Sequence, residues 1–113
     1  MMLGFGKARA HREIGPNELN TMLQRDEVLL VDVREPDEFA AGHIAGAVNL
    51  PLSVFSPRNI PDAHGRTVVL QCAGGKRSGM ALERCGEAQS AVDTHLEGGI
   101  GAWKAAGLPV VQD

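Results

Sequence analysis

The sequence predicts an α/β fold built on a mainly parallel sheet. Three observations carry this. The apolar runs Val28–Val31 and Thr67–Gln71 have the character of strands buried on both faces. Segments of helical period lie between the strands, as β-α-β units require. The chain has 113 residues, 43% hydrophobic and 22% charged, enough for one domain with a core and too few for two.

The elements follow in order. Residues 1–11 show no period and read as a loose lead-in to a single domain over residues 12–113. Arg12-Glu13-Ile14 reads as a short edge strand. Gly15-Pro16 opens a helix, since proline suits a first turn, and Leu19, Met22 and Leu23 follow at helical spacing. The Val28–Val31 strand runs out at Asp32-Val33-Arg34. Pro36 starts a second short helix through Phe39 and Ala40, with Gly42 at its end. Arg34 and Glu38 lie four apart and are placed as a pair, worth about 0–1 kcal/mol if exposed.

Ala47–Leu50 suggests a short strand stopped by Pro51. Residues 52–66 hold Pro57, Pro61 and Gly65 and read mostly as loop. After the Thr67–Gln71 strand, a helix is expected from Ser78 to Ala88. Ala81, Leu82, Cys85 and Ala88 form its apolar stripe, and Gly86 weakens it by about 1 kcal/mol relative to alanine. Thr94-His95-Leu96 is the last strand. Gly98-Gly99 then turns the chain into a helix that contains Trp103 and stops at Gly107.

A net charge of −3 gives no overall basic footprint for nucleic acid, so positive charge matters only locally, at Lys76 and Arg77. Cys72 and Cys85 form no C-x-x-C pair and are too few for a disulfide framework. His11, His43, His64 and His95 are scattered, without metal-ligand spacing, and no cofactor is called for. Two unframed thiols fit a reducing compartment. The first residues carry no long apolar stretch or A-x-A site, and no segment has the length of a membrane span. A cytoplasmic protein without membrane attachment is the expectation.

The chemistry concentrates at Cys72-Ala73-Gly74-Gly75-Lys76-Arg77-Ser78, directly after the buried strand. Parallel sheets place their ligands beyond the carboxyl ends of their strands, where Cys72 stands. Gly74 and Gly75 allow successive amides to curl inward as an anion-binding nest. Ala73 leaves the mouth open, and Ser78 can cap the following helix or donate its hydroxyl. Amides, a helix N-terminus and two cations favour the thiolate, the nucleophilic form of cysteine. The expected reaction is attack of Cys72 on the outer sulfur of a sulfane donor such as thiosulfate. It leaves a persulfide that cyanide or a thiol then removes, with ping-pong kinetics.

C-x-x-G-x-R-S at Cys72–Ser78 resembles the active-site loop of single-domain rhodaneses, the thiosulfate sulfurtransferases. Two more segments agree. Asp32-Val33-Arg34, Glu38-Phe39 and Gly42-His43-Ile44-x-Gly46-Ala47-x-Asn49-Leu50-Pro51 resemble the family's upstream signature; Leu96-Glu97-Gly98-Gly99-Ile100-x-Ala102-Trp103 resembles its downstream one. The resemblance spans residues 12–111. It implies a five-stranded parallel sheet flanked by helices, a catalytic persulfide on Cys72, and an anion cradle from Ala73 through Ser78. Residues 52–66 depart from it, because many relatives carry a helix there near the pocket rim. The loop also lacks the C-x-G-x-G-V-[TS] pattern of mercaptopyruvate sulfurtransferases.

Other readings stand beside this one. A persulfide carrier or interaction module, exchanging sulfur with a donor or acceptor protein, would use the same loop. Phosphatases and arsenate reductases place five residues between cysteine and arginine; here four separate Cys72 from Arg77, which crowds a tetrahedral phosphate. Lys76 and Arg77 are read as substrate-binding rather than merely solvated, with Arg77 the better oxyanion partner. Asp32, Arg34 and Glu38 are read as structural, Asp32 bonding loop amides and Arg34 pairing with a carboxylate. Cys85 is read as core, the alternative being a resolving thiol for Cys72. His43 is read as a turn residue, Trp103 as core, and Gly98-Gly99 as serving backbone geometry rather than phosphate.

Overall fold

The computed structural model describes residues 11–112, so all but one residue of the expected lead-in, and Asp113, lie outside the described residues. Its elements are β1 (Arg12–Ile14), α1 (Pro16–Gln24), β2 (Val28–Asp32), α2 (Pro36–Ala41), β3 (Val48–Asn49), β4 (Thr67–Gln71), α3 (Lys76–Glu87), β5 (Thr94–Leu96) and α4 (Gly99–Ala105). The five strands form one sheet in the order β1-β5-β4-β2-β3, every neighbouring pair parallel. This is the expected α/β architecture, with the strand at Ala47–Leu50 shortened to two residues.

Strand alternation divides the core into two layers. Val28, Leu30, Val69, Ile14 and Leu96 point to one face, where Leu19 of α1 and Ile100 and Trp103 of α4 cover them. Leu29, Val31 and Leu70 point to the other, where Ala81, Leu82 and Cys85 of α3 and Phe55 meet them. All five residues of β2 are buried, which explains the apolar run Val28–Val31 that precedes Asp32. The Trp103 indole lies in the first layer and donates to the Pro109 carbonyl at 2.8 Å.

Two boundaries differ from expectation. Helix α3 begins at Lys76, not Ser78, because Gly75 at φ 110° turns the chain straight from the loop into the helix. Lys76 and Arg77 therefore stand in the first helical turn, where the dipole disfavours cations. Residues 52–66 are also more ordered than a plain loop. They hold two short 3-10 turns, Leu52–Val54 and Pro57–Asn59, and bury Phe55 between them. Arg84 of α3 donates to the carbonyls of Leu52 and Phe55 at 2.9 and 3.4 Å, so the segment is pinned to the helix it faces.

Among the described residues, no helix is long and apolar enough to cross a membrane.

Candidate active site

Cys72 follows the last residue of β4 in the middle of the sheet, at the carboxyl end of the strands. The chain must turn there from strand to helix within four residues, and it wraps around the sulfur as it does so. The Gly75 amide donates to Sγ at 3.0 Å, and the Cys72 thiol lies 3.6 Å from Ser78 Oγ as donor to it. Burial pushes the thiol up. The Ser78 hydroxyl and the amides of Ser78, Gly75 and Gly74 outweigh it, and the thiol is held below its ordinary value of 9.0. The site thus favours a sulfur anion in a place where water does not.

The mouth is narrower than Ala73 suggests from sequence. Ala73, Gly74 and Lys76 are exposed and Gly75 and Arg77 half-buried, yet Cys72 keeps only 1% of its surface. The loop shelters the sulfur and presents a rim of small residues and positive charge.

Helix α4 grips this loop from the other side. The Ile100 amide donates to the Cys72 carbonyl at 2.8 Å and the Gly101 amide to the Ala73 carbonyl at 3.0 Å. These are first-turn amides without partners inside their own helix, spent on the loop's carbonyls. The close approach requires Gly99. A Cβ there would sit inside contact distance of the Cys72 carbonyl oxygen and 2.7 Å from the Ala73 carbonyl. Gly98-Gly99 therefore supports loop geometry.

The upstream signature forms the rest of the frame. Asp32, at the carboxyl end of β2, accepts from the Arg34 amide at 2.9 Å and from its Nε and Nη2 at 2.8–3.1 Å, all buried. The Arg34 guanidinium also donates to the Gly42 carbonyl at 2.8 Å, fixing the end of α2. Asn49 Nδ2 bridges the carbonyls of Asp32 and Arg34 at 3.0 and 2.9 Å. The expected Arg34–Glu38 pair gives way to this arrangement, because the nearer carboxylate of Asp32 takes the guanidinium.

Glu38 turns instead to Arg77, with Oε1 to Nη1 at 2.7 Å and Oε2 to Nη2 at 3.0 Å. Glu38 also accepts the Glu35 amide at 3.0 Å, closing a capping box on α2. Arg77 first, then the Glu35 amide, hold the Glu38 carboxyl at about 2 against an ordinary 4.5, with burial opposing. The guanidinium is held up chiefly by its bonds to Glu38, and its charge is also felt by Cys72. The carboxylate offsets the unfavourable cation at the start of α3. It also orients Arg77 through two nitrogens of its guanidinium, a group with five N–H donors in all.

Two residues beside the sulfur escaped sequence reasoning. His95 Nδ1 lies 2.7 Å from Ser78 Oγ, and His95 Nε2 lies 3.2 Å from Glu13 Oε2. Strand alternation explains the placement. Ile14 and Leu96 face the α4 layer, so their neighbours Glu13 and His95, paired across β1 and β5, face α3 and its first turn. Alternation from Leu96 gives the face of His95; nothing local gives its partner. Burial is the main influence on the imidazole and holds it below 6.5.

Cys85 is a core residue of α3, in the same apolar layer as Cys72. It is buried on the face of α3 that covers the sheet, seven residues after Ser78. His43 is buried, stacks on Phe39 with ring centres 3.8 Å apart, and bridges backbone to Val111.

A parallel five-stranded sheet with a cysteine loop at its carboxyl edge, framed by the upstream and downstream segments, defines a class, and comparison with known proteins gives the same one. Residues 15–106 match the rhodanese-like domain model, and the chain belongs to that family. A protein of Allochromatium vinosum named a sulfurtransferase is 37% identical over 100 residues, covering 88% of this chain and 94% of that one. An uncharacterized protein of Synechocystis sp. is 50% identical over 99 residues; the match covers 88% of this chain but only 55% of that relative's length. The crystal structure of a rhodanese-related protein from Thermoplasma volcanium superposes with a TM-score of 0.77 at 30% identity, covering 91% of this chain and all of that one.

Proposed function

We propose that this protein is a sulfurtransferase that moves a sulfane sulfur from thiosulfate, or a donor like it, to a thiol or cyanide through a persulfide on Cys72. The observation that carries the reading is the convergence of the Gly75 amide and the Ser78 hydroxyl on a buried sulfur whose thiol is pulled down. In the first half-reaction the thiolate attacks the outer sulfur of thiosulfate. An S–S bond forms to Cys72, the donor's own S–S bond breaks, and sulfite leaves with the electron pair. In the second, the acceptor attacks the outer sulfur of the persulfide and Cys72 departs as thiolate. Two half-reactions sharing one covalent intermediate predict ping-pong kinetics.

The other loop residues have roles in this scheme. Two anions meet in the first step, so the reaction needs positive character at the rim. The amides of Gly74, Gly75 and Ser78 supply it at the sulfur. Arg77, steadied by Glu38, and exposed Lys76 supply it along the donor's path, while Ala73 keeps that path unobstructed. Near-complete burial of Cys72 and a four-residue spacing to Arg77 favour a slim terminal sulfur over a tetrahedral phosphate. The same persulfide can be exchanged with a partner protein as well as with a small thiol. A reducing compartment such as the cytoplasm suits the chemistry.

Intact mass after incubation with thiosulfate tests the reading. The wild-type chain gains one sulfur and Cys72→Ala gains none; adding cyanide removes the sulfur and yields thiocyanate. Sulfur uptake that survives Cys72→Ala, or no uptake by the wild type, would end the proposal.

A further inference from the structure

The Cys72 thiol is 1% exposed, so water does not reach its proton directly. A chain of side chains does. The thiol donates toward Ser78 Oγ at 3.6 Å, Ser78 Oγ meets His95 Nδ1 at 2.7 Å, and His95 Nε2 meets Glu13 Oε2 at 3.2 Å. Ser78 and His95 are buried; the Glu13 side chain is 48% exposed and closes the line at the surface beside the edge strand β1. The protein spends three strategically placed polar groups, from α3, β5 and β1, on connecting one sulfur to solvent behind the loop.

The proton positions follow from the donors and acceptors. A carboxylate only accepts, so His95 carries its proton on Nε2, facing Glu13. Nδ1 of the neutral ring is then an acceptor and takes the Ser78 hydroxyl proton. Ser78 Oγ also lies 3.2 Å from the Gly75 carbonyl, but one hydroxyl proton serves one acceptor, and His95 is nearer. That leaves a lone pair on Ser78 for the thiol. Every group in the line is set to pass a proton outward from sulfur.

We propose that Ser78, His95 and Glu13 form a proton relay that removes the thiol proton from Cys72. The S–H bond breaks and its electron pair stays on sulfur. The proton goes to Ser78 Oγ as the hydroxyl's own proton crosses to His95 Nδ1. The products are a thiolate that accepts a hydrogen bond from Ser78 and an imidazolium held between Ser78 Oγ and the Glu13 carboxylate. His95 is thus a positioning residue, which acts on sulfur through Ser78. The charged and titratable groups around it are Glu13 on β1, His11 just before β1 with its ring 5.9 Å away, Glu97 just after β5, and Cys72 through Ser78. Glu13 and Glu97 favour the imidazolium; His11 and burial oppose it. The relay rests on the assignment of Cys72 as nucleophile, but not on the identity of the donor.

The test is the pH dependence of Cys72 alkylation by iodoacetamide in the full chain, read on the Cys72 peptide by mass spectrometry. Below neutrality, where a thiolate needs the imidazolium beside it, His95→Gln slows alkylation about tenfold, equivalent to one pH unit in the midpoint. Glu13→Gln, on a half-exposed side chain, moves the midpoint in the same direction by less. Profiles that coincide with wild type in both folded variants would overturn the relay. Should His95→Gln fail to fold, Glu13→Gln decides alone, with imidazole nitrogen shifts of the wild type beside it. These shifts are expected to show the proton on Nε2 of neutral His95, and a proton on Nδ1 would overturn the relay. Sulfur uptake from thiosulfate reads separately: uptake with unshifted alkylation sinks only the relay, and shifted alkylation without uptake sinks only the sulfurtransferase reading.

Discussion

Replacing Glu38 with Gln isolates one charge that ties two distant motifs together. Glu38 lies on α2 in the upstream signature and Arg77 in the first turn of α3, 39 residues later. Gln keeps the shape and an acceptor for the Glu35 amide, so the capping box survives and only the ionic component is lost. The Glu38 carboxyl, held at about 2 against 4.5 by Arg77 and in part by the retained Glu35 amide, sets the upper bound of that component. At 1.36 kcal/mol per pH unit, this interval is roughly 3 kcal/mol before screening. The carboxylate and guanidinium side chains are 36% and 31% exposed, so solvent screens much of it and about 1 kcal/mol remains. For a domain of this size that lowers the melting temperature by about 4–6 °C at pH 7.

The sign with pH is fixed. Glu38 has a lowered carboxyl, so its contribution is complete above 4.5 and is lost as pH falls toward about 2. Thermal melts followed by circular dichroism should show the gap between wild type and Glu38→Gln constant from pH 7 to about pH 5 and closing below 4.5. A gap that persists unchanged in acid would show that the contact is not ionic. No gap at pH 7 would show that screening removes all of it.

Four further outcomes are expected. Asp32→Asn leaves the buried Arg34 guanidinium without its carboxylate and should cost about 3–5 kcal/mol by urea denaturation; a loss under 1 kcal/mol would contradict the buried pairing. Gly99→Ala combines a φ of 60° with a clash against the Cys72 and Ala73 backbone, for a total of about 2–5 kcal/mol, and near-wild-type stability would show that α4 can withdraw from the loop. Ser78→Ala removes the hydroxyl at Sγ and should raise the pH at which Cys72 becomes reactive toward iodoacetamide; an unchanged pH would mean that the backbone amides suffice. Because the thiol is lowered in the fold, wild type should gain stability over Cys72→Ala as pH rises toward 9.0, the gain vanishing below the folded value, and a difference independent of pH would contradict this.

The parts of this molecule that were legible in its sequence are those fixed by local physics. β2 is buried on both faces and so is apolar from Val28 to Val31; Gly98-Gly99 stands where one backbone must approach another; the loop after β4 must carry small residues to wrap its sulfur. What was not legible depends on which distant residue arrives. Arg34 and Glu38 are four apart and of opposite charge, yet Glu38 takes Arg77, which α3 brings from 39 residues away, and Arg34 turns back to Asp32 two residues before it. The strand register does the same for the relay. His95 looks like one scattered histidine among four until β1 and β5 pair Glu13 with it and α3 sets Ser78 against its other nitrogen. A loop that shelters its sulfur from water stabilises the thiolate by its amides but also cuts the thiol off from the solvent that must accept its proton. The loop alone therefore accounts for where the charge rests, and the side chains behind it for how the charge is made.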